Sequence, residues 1–129
     1  MNRIQRFEDL IAWQKAQQLT KRIYELTRKG TWARDFGLSS QIQRASVSIM
    51  SNIAEGFERG GKKEFLQFLA ISKASVGEVE AQLYVALDQS YITDDQFASL
   101  KRLAVSTKQL IAGLMRYLRQ SDIKGEKYK

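Results

Sequence analysis

Lys15, Arg22 and Lys29 recur every seven residues, and Lys101, Lys108 and Arg119 fall close to one helical line nearer the C-terminus. Residues seven apart on a helix share a face, so each series presents a row of cations. Such a row attracts phosphate backbones by releasing their counterions, without reading base sequence. Residues 1–34 hold eight Lys or Arg against three Asp or Glu, and residues 93–129 hold eight against four, in a chain of net charge +7. Residues 64–90 hold one against four, so the positive charge gathers at the two ends of the sequence. If the first and last helices are neighbours, the two rows merge into one basic surface. The competing account of each row is a solvated helix face.

Other chemistry is largely excluded by composition. The chain has no cysteine and no histidine, which removes thiolate nucleophiles, disulfides, zinc–thiolate sites, the commonest general base and the commonest transition-metal ligand. Glu78 and Glu80 project to different sides of a helix, so they are no carboxylate dyad converging on one substrate bond. Glu80 lies at the edge of an apolar stripe, with Lys73 one heptad before it and Tyr84 one turn after, and reads as a structural ion pair or hydrogen bond. Gly56-x-x-x-Gly60 and the following Gly61-Lys62-Lys63 lack the strand context and the Gly-Lys-Ser/Thr ending of a phosphate-binding loop. No zinc finger, helix-turn-helix or RNP aromatic pair is present. The expectation is a protein that is not an enzyme and has no metal or cofactor.

The elements that must carry these residues are helices. The chain of 129 residues contains no proline, the residue least tolerated inside a helix, and its length suits one domain. Apolar periodicity predicts helices over 8–29, 38–58, 63–90 and 94–120 and leaves 121–129 as a flexible basic tail. Ala12, Ala16, Leu19, Ile23 and Leu26 form the first seam. Phe65, Leu69, Ser72, Val76, Val79, Leu83 and Ala86 form the third. Ser39 or Ser40 is the expected cap of the second helix, and Thr93 with Gln96 forms a capping box for the fourth. Trp32 and Phe36 are expected to fold back over the bundle end. Short connections force neighbours to run antiparallel, which gives an all-α, up-and-down antiparallel four-helix bundle. No apolar run is long enough to span a bilayer and no secretory leader is visible, so a cytoplasmic protein away from the membrane is expected.

Two helices carry more apolar surface than such a bundle needs. On the second, Val47, Met50, Ala54 and Phe57 widen the apolar arc to roughly 200°. On the third, Ala70, Ala74, Gly77 and Ala81 lie opposite the core seam, and a glycine inside a helix costs about 1 kcal/mol relative to alanine. The alternative on the third helix is an exposed alanine face with one tolerated glycine; close approach of another subunit explains both faces, and a homo-oligomer is expected. Beside them runs a polar line of Arg44, Ser48, Asn52, Glu55 and Arg59. It is either a solvated face or a partly buried network that fixes helix register or subunit contacts.

The runs Phe7-x-Asp9-Leu10-x-x-Trp13, Gln41-x-x-Arg44-Ala45-x-x-Ser48-Ile49-x-x-Asn52-Ile53-Ala54-Glu55-Gly56 and Glu78-x-Glu80-x-Gln82-Leu83 resemble the bacterial 23S rRNA intervening-sequence proteins. The resemblance implies a four-helix bundle assembled as a ring of five subunits. It is similar in fold to the accessory variability protein of diversity-generating retroelements, which binds nucleic acid and a reverse transcriptase. The partners so implied are further copies of the chain, RNA or DNA, and a protein such as a reverse transcriptase. This chain departs from the family pattern at Trp32-Ala33-Arg34-Asp35, where relatives carry a proline. The leading functional expectation is a homopentameric scaffold that binds nucleic acid nonspecifically through Lys15, Arg22, Lys29, Lys101, Lys108 and Arg119. The alternative is a protein-interaction adaptor with no nucleic-acid role.

Overall fold

The computed structural model describes residues 4–120, so the expected tail at 121–129 lies outside the described residues. Its helices are α1 (Ile11–Thr27), α2 (Phe36–Arg59), α3 (Lys62–Asp88) and α4 (Asp94–Gln120). Each packs on its neighbours in sequence and α1 closes on α4, giving the all-α, up-and-down four-helix bundle. At 1.5 Å per residue the two longest helices run for about 40 Å.

The predicted seams are the core. All seven residues of the α3 seam are buried, facing Ile42, Ile49 and Ile53 of α2, Leu19 and Ile23 of α1 and Leu100 and Ile111 of α4. The hydroxyls on these seams find acceptors inside the bundle. Ser72 Oγ donates to the Ile49 carbonyl at 2.8 Å and Thr107 Oγ1 to the Leu103 carbonyl at 2.8 Å. An unpaired hydroxyl at either place would carry its full desolvation cost.

Most helix boundaries shift by one to three residues from the periodicity, two of them for identifiable local reasons. The first helix begins later than expected because Phe7–Asp9 closes a separate 3-10 turn, held where the Asp9 carboxylate accepts the backbone N–H groups of Gln5 and Arg6 at 3.2 and 3.1 Å. The second begins earlier, because its cap is Asp35 rather than Ser39 or Ser40. The Asp35 carboxylate accepts the Leu38 N–H at 3.1 Å, and Ser39 is buried inside the helix. The capping box of α4 forms as expected: Gln96 N–H donates to Thr93 Oγ1 at 3.0 Å, and Thr93 N–H donates to Gln96 Oε1 at 2.9 Å.

Trp32 and Phe36 separate. Trp32, in a 3-10 turn at Gly30–Arg34, is fully buried and stacks on Tyr91 at 6.0 Å between ring centroids, plugging the bundle end. Phe36 opens α2 on the side turned from the core and is 78% exposed.

The tightest packing is between α2 and α3, at a glycine the periodicity did not single out. A Cβ on Gly56 would lie 2.8 Å from Phe65 Cδ1 and 2.8 Å from Phe68 Cβ. Only a bare Cα lets the two helices meet there. The connection beyond needs a glycine too: Gly60 caps α2 at φ +83°, in the left-handed region.

Candidate nucleic-acid interface

The basic row of α1 is present as a surface feature. Lys15 and Arg22 are half-buried along the flank facing α4, where Arg22 Nη1 donates to Ser99 Oγ at 3.3 Å, and Lys29 is exposed just past the helix end. Lys15, Lys21, Arg22, Arg28 and Lys29 share this stretch with one carboxylate, Glu25. None of these five cations is in an ion pair among the described residues, whereas Arg6, Arg59, Lys101 and Lys108 each have a carboxylate partner. Arg28 lies over the Tyr24 ring at 5.5 Å. A cation without a carboxylate partner keeps its full charge for an incoming phosphate.

Lys101 and Lys108 turn the other way. Both reach across to α3, where Lys101 Nζ lies 2.9 Å from Glu80 Oε2 and Lys108 Nζ lies 2.6 Å from Glu80 Oε1. The partners of Glu80 thus come from α4 and not from Lys73. The two basic rows do not merge as expected, since the α1 row borders one flank of α4 while the Lys101 and Lys108 ammonium groups leave by the other. Arg102 and Arg116 are exposed on the outer side of α4, and Arg119 is exposed on the helical line of Lys101 and Lys108.

The Glu80 side chain is only 10% exposed, against 29% for Lys101 and 37% for Lys108, so the carboxylate sits beneath the two ammonium groups. Burial by itself raises the Glu80 pKa. The hydrogen bonds and charges of Lys108 and Lys101 outweigh it and hold the carboxyl below its ordinary value. Lys101 is correspondingly raised by its hydrogen bond to Glu80.

The residues expected to mediate assembly divide. Ala70, Ala74, Gly77 and Ala81 are all exposed on one face of α3. Ile71 and Val85, which the small-residue spacing did not reveal, extend it at 50% and 44% exposure. A Cβ added to Gly77 would meet nothing within 4 Å, so no contact inside this chain requires that glycine. On α2, Val47 is exposed and Met50 and Ala54 are half-buried. Phe57 is not a surface residue: it is fully buried, edge-on to Phe65 at 6.1 Å, because the helix turns it back toward α3.

The polar line also divides. Ser48 Oγ pairs with Ser75 Oγ of α3 at 2.9 Å, and Asn52 Nδ2 donates to the Ser48 carbonyl at 2.8 Å and to its hydroxyl at 3.0 Å. These make an interhelix network that ties α2 to α3. Arg44 Nη1 donates to Ser40 Oγ at 2.8 Å, and Arg59 pairs with Glu55 at 2.9 Å and reaches Glu64 at 3.6 Å at the exposed end of the helix. Gln41, Arg44, Ser48, Glu78 and Gln82 line an open cleft of about 500 Å³ between these helices. Among the described residues no three His, Cys, Asp or Glu side chains gather as a metal site, and no helix is long and apolar enough to cross a membrane.

No curated protein matches the chain. It is similar to a solved protein of unknown function from the S23 ribosomal protein family of Bacteroides thetaiotaomicron, at 23% identity and a TM-score of 0.76. The match covers 82% of this chain and 96% of that one, and at this identity it establishes a shared fold. The sequence model of one family, by contrast, matches residues 8–113, from the approach to α1 as far as Gly113 of α4. With that span matched, the chain belongs to the 23S rRNA-intervening sequence protein family.

Proposed function

We propose that this protein is a non-enzymatic, homo-oligomeric helical scaffold that binds RNA or DNA without sequence preference through the outer side of α1 and α4. The observation that carries the reading is the set of unpaired cations on and just beyond α1, of which Lys15 and Arg22 share one flank and Lys29 follows past the helix end. Arg102 and Arg116, exposed on the outer side of α4, add to this surface. Phosphate contacts from such a surface supply affinity and register but no base readout. The small-residue face of α3, with Val47, Met50 and Ala54 of α2, serves subunit contacts, and five subunits is the number the family resemblance implies. A ring would repeat the basic surface around its circumference and multiply weak contacts into useful avidity.

Fluorescence anisotropy of the full chain with a labelled mixed-sequence RNA tests the reading. Binding at about 50 mM salt that weakens steeply by about 200 mM supports it, and no binding at the lower salt refutes it. The adaptor reading gains if a protein partner is retained after nuclease treatment while RNA binding is absent.

A further inference from the structure

Lys101 and Lys108 rim the seam between α3 and α4, and a shallow groove along α4 beside it differs in chemistry from the α1 surface. Tyr84 lies one turn beyond Glu80 on the same flank of α3 and is 50% exposed. Its ring meets Phe97 of α4 in a T-shaped contact at 4.9 Å, and Lys101 Nζ lies over the ring, 5.5 Å from its centroid. Phe97, Lys101, Arg102 and Val105 border a shallow, mostly apolar depression of about 580 Å³ alongside. Lys73, one heptad before Glu80 on α3, is exposed on the same flank.

We infer that this groove takes single-stranded nucleic acid, with a base stacked on Tyr84 and the adjoining phosphates held by Lys101 and Lys108. An exposed aromatic ring bordered by cations suits an unpaired base and its backbone, because every base offers a π-face and a duplex offers none along its side. The Glu80 carboxylate does not abolish the site. Two ammonium groups share one carboxylate, so the cluster keeps a positive charge, and each ammonium carries three donors of which Glu80 takes one. Glu80 also lies deeper than either lysine, which leaves the ammonium groups between it and an approaching phosphate. Glu80 acts here as a positioning residue. The inference rests on the nucleic-acid reading above and narrows its ligand to single strands at this groove.

The test compares a labelled, non-self-complementary RNA of about 16 nucleotides with the same strand annealed to its complement, against wild-type, Tyr84→Ala and Tyr84→Phe proteins. The expected result is a loss of about tenfold in single-strand affinity for Tyr84→Ala, restored by Tyr84→Phe, with duplex binding unchanged. Equal loss for both forms, no loss, failure of phenylalanine to rescue, or a change in oligomer mass in Tyr84→Ala would overturn it. Binding of neither RNA by the wild type overturns the nucleic-acid reading itself, whereas unaltered single-strand binding by Tyr84→Ala overturns this inference alone.

Discussion

Gly56 of α2 and Phe65 of α3 are in contact through a missing side chain: the first carbon any other residue would add lands 2.8 Å from the phenylalanine ring. Alanine would gain about 1 kcal/mol of helix propensity at this position, but one nearby atom belongs to the ring of fully buried Phe65 and the other is the Cβ of Phe68, fixed to its backbone, so neither yields cheaply. Gly56→Ala is therefore expected to lower stability by about 1–3 kcal/mol in chemical denaturation. Gly77→Ala, whose Cβ would meet nothing within 4 Å in the chain itself, is expected to leave the stability of the single subunit unchanged or raised by up to about 1 kcal/mol.

The Gly77 face also tests the assembly. Light scattering coupled to size exclusion should give a multiple of the subunit mass for the wild type and a single subunit for Gly77→Leu, whose side chain has room in the chain itself but none against a closely packed partner. A wild-type monomer would remove the role proposed for both faces.

Glu80 makes stability depend on pH in a stated direction. Its carboxyl is held below its ordinary value by Lys108 and Lys101, so the cluster stabilises the fold above the unfolded-state value and loses that contribution as pH falls through the folded one. Glu80→Gln should cost about 1–3 kcal/mol at neutral pH, and its difference from the wild type should shrink on acidification below about pH 4. A difference that persists unchanged at low pH would mean the ion pairs contribute nothing.

At the other end of the molecule, Tyr91 Oη donates to Asp35 Oδ2 at 2.9 Å while Asp35 caps α2 and Trp32 stacks on Tyr91. The hydrogen bond to Asp35 raises the Tyr91 phenol above its ordinary value. Asp35→Ala should lower stability by about 1–2 kcal/mol and shift Trp32 fluorescence to the red as the plug loosens. Tyr91→Phe keeps the ring stack and should shift the fluorescence less.

The core seams were legible because a 3.6-residue repeat records which side of a helix is buried, and the α3 seam came through whole. What the repeat cannot record is which neighbour a flanking polar residue meets. Glu80 sat visibly at the edge of a stripe, yet its partners lie 21 and 28 residues away on α4, and nothing in local spacing names them. Phe57 fell on the margin of a wide apolar arc, where a few degrees of helix rotation decide between surface and core. Gly56 stood within the most distinctive run of the sequence, but its reason is the two phenylalanines across the interface. Asp35 rather than Ser39 or Ser40 caps α2 because Tyr91, distant in sequence, anchors its other oxygen. Of the residues chosen for phosphate contact, Lys15 and Arg22 lie on one flank of α1 where helical spacing puts them, Lys29 falls past the helix end, and the commitment of Lys101 and Lys108 to Glu80 required the packed bundle.

The most direct measurement of the central claim is the salt dependence of duplex RNA affinity for the wild type and for the triple variant Lys15→Gln, Arg22→Gln, Lys29→Gln. Each phosphate contact contributes about 0.9 to the slope of log affinity against log salt, so the account predicts a wild-type slope that falls by about two to three in the variant. An unchanged slope, or a wild-type affinity indifferent to salt, would contradict it.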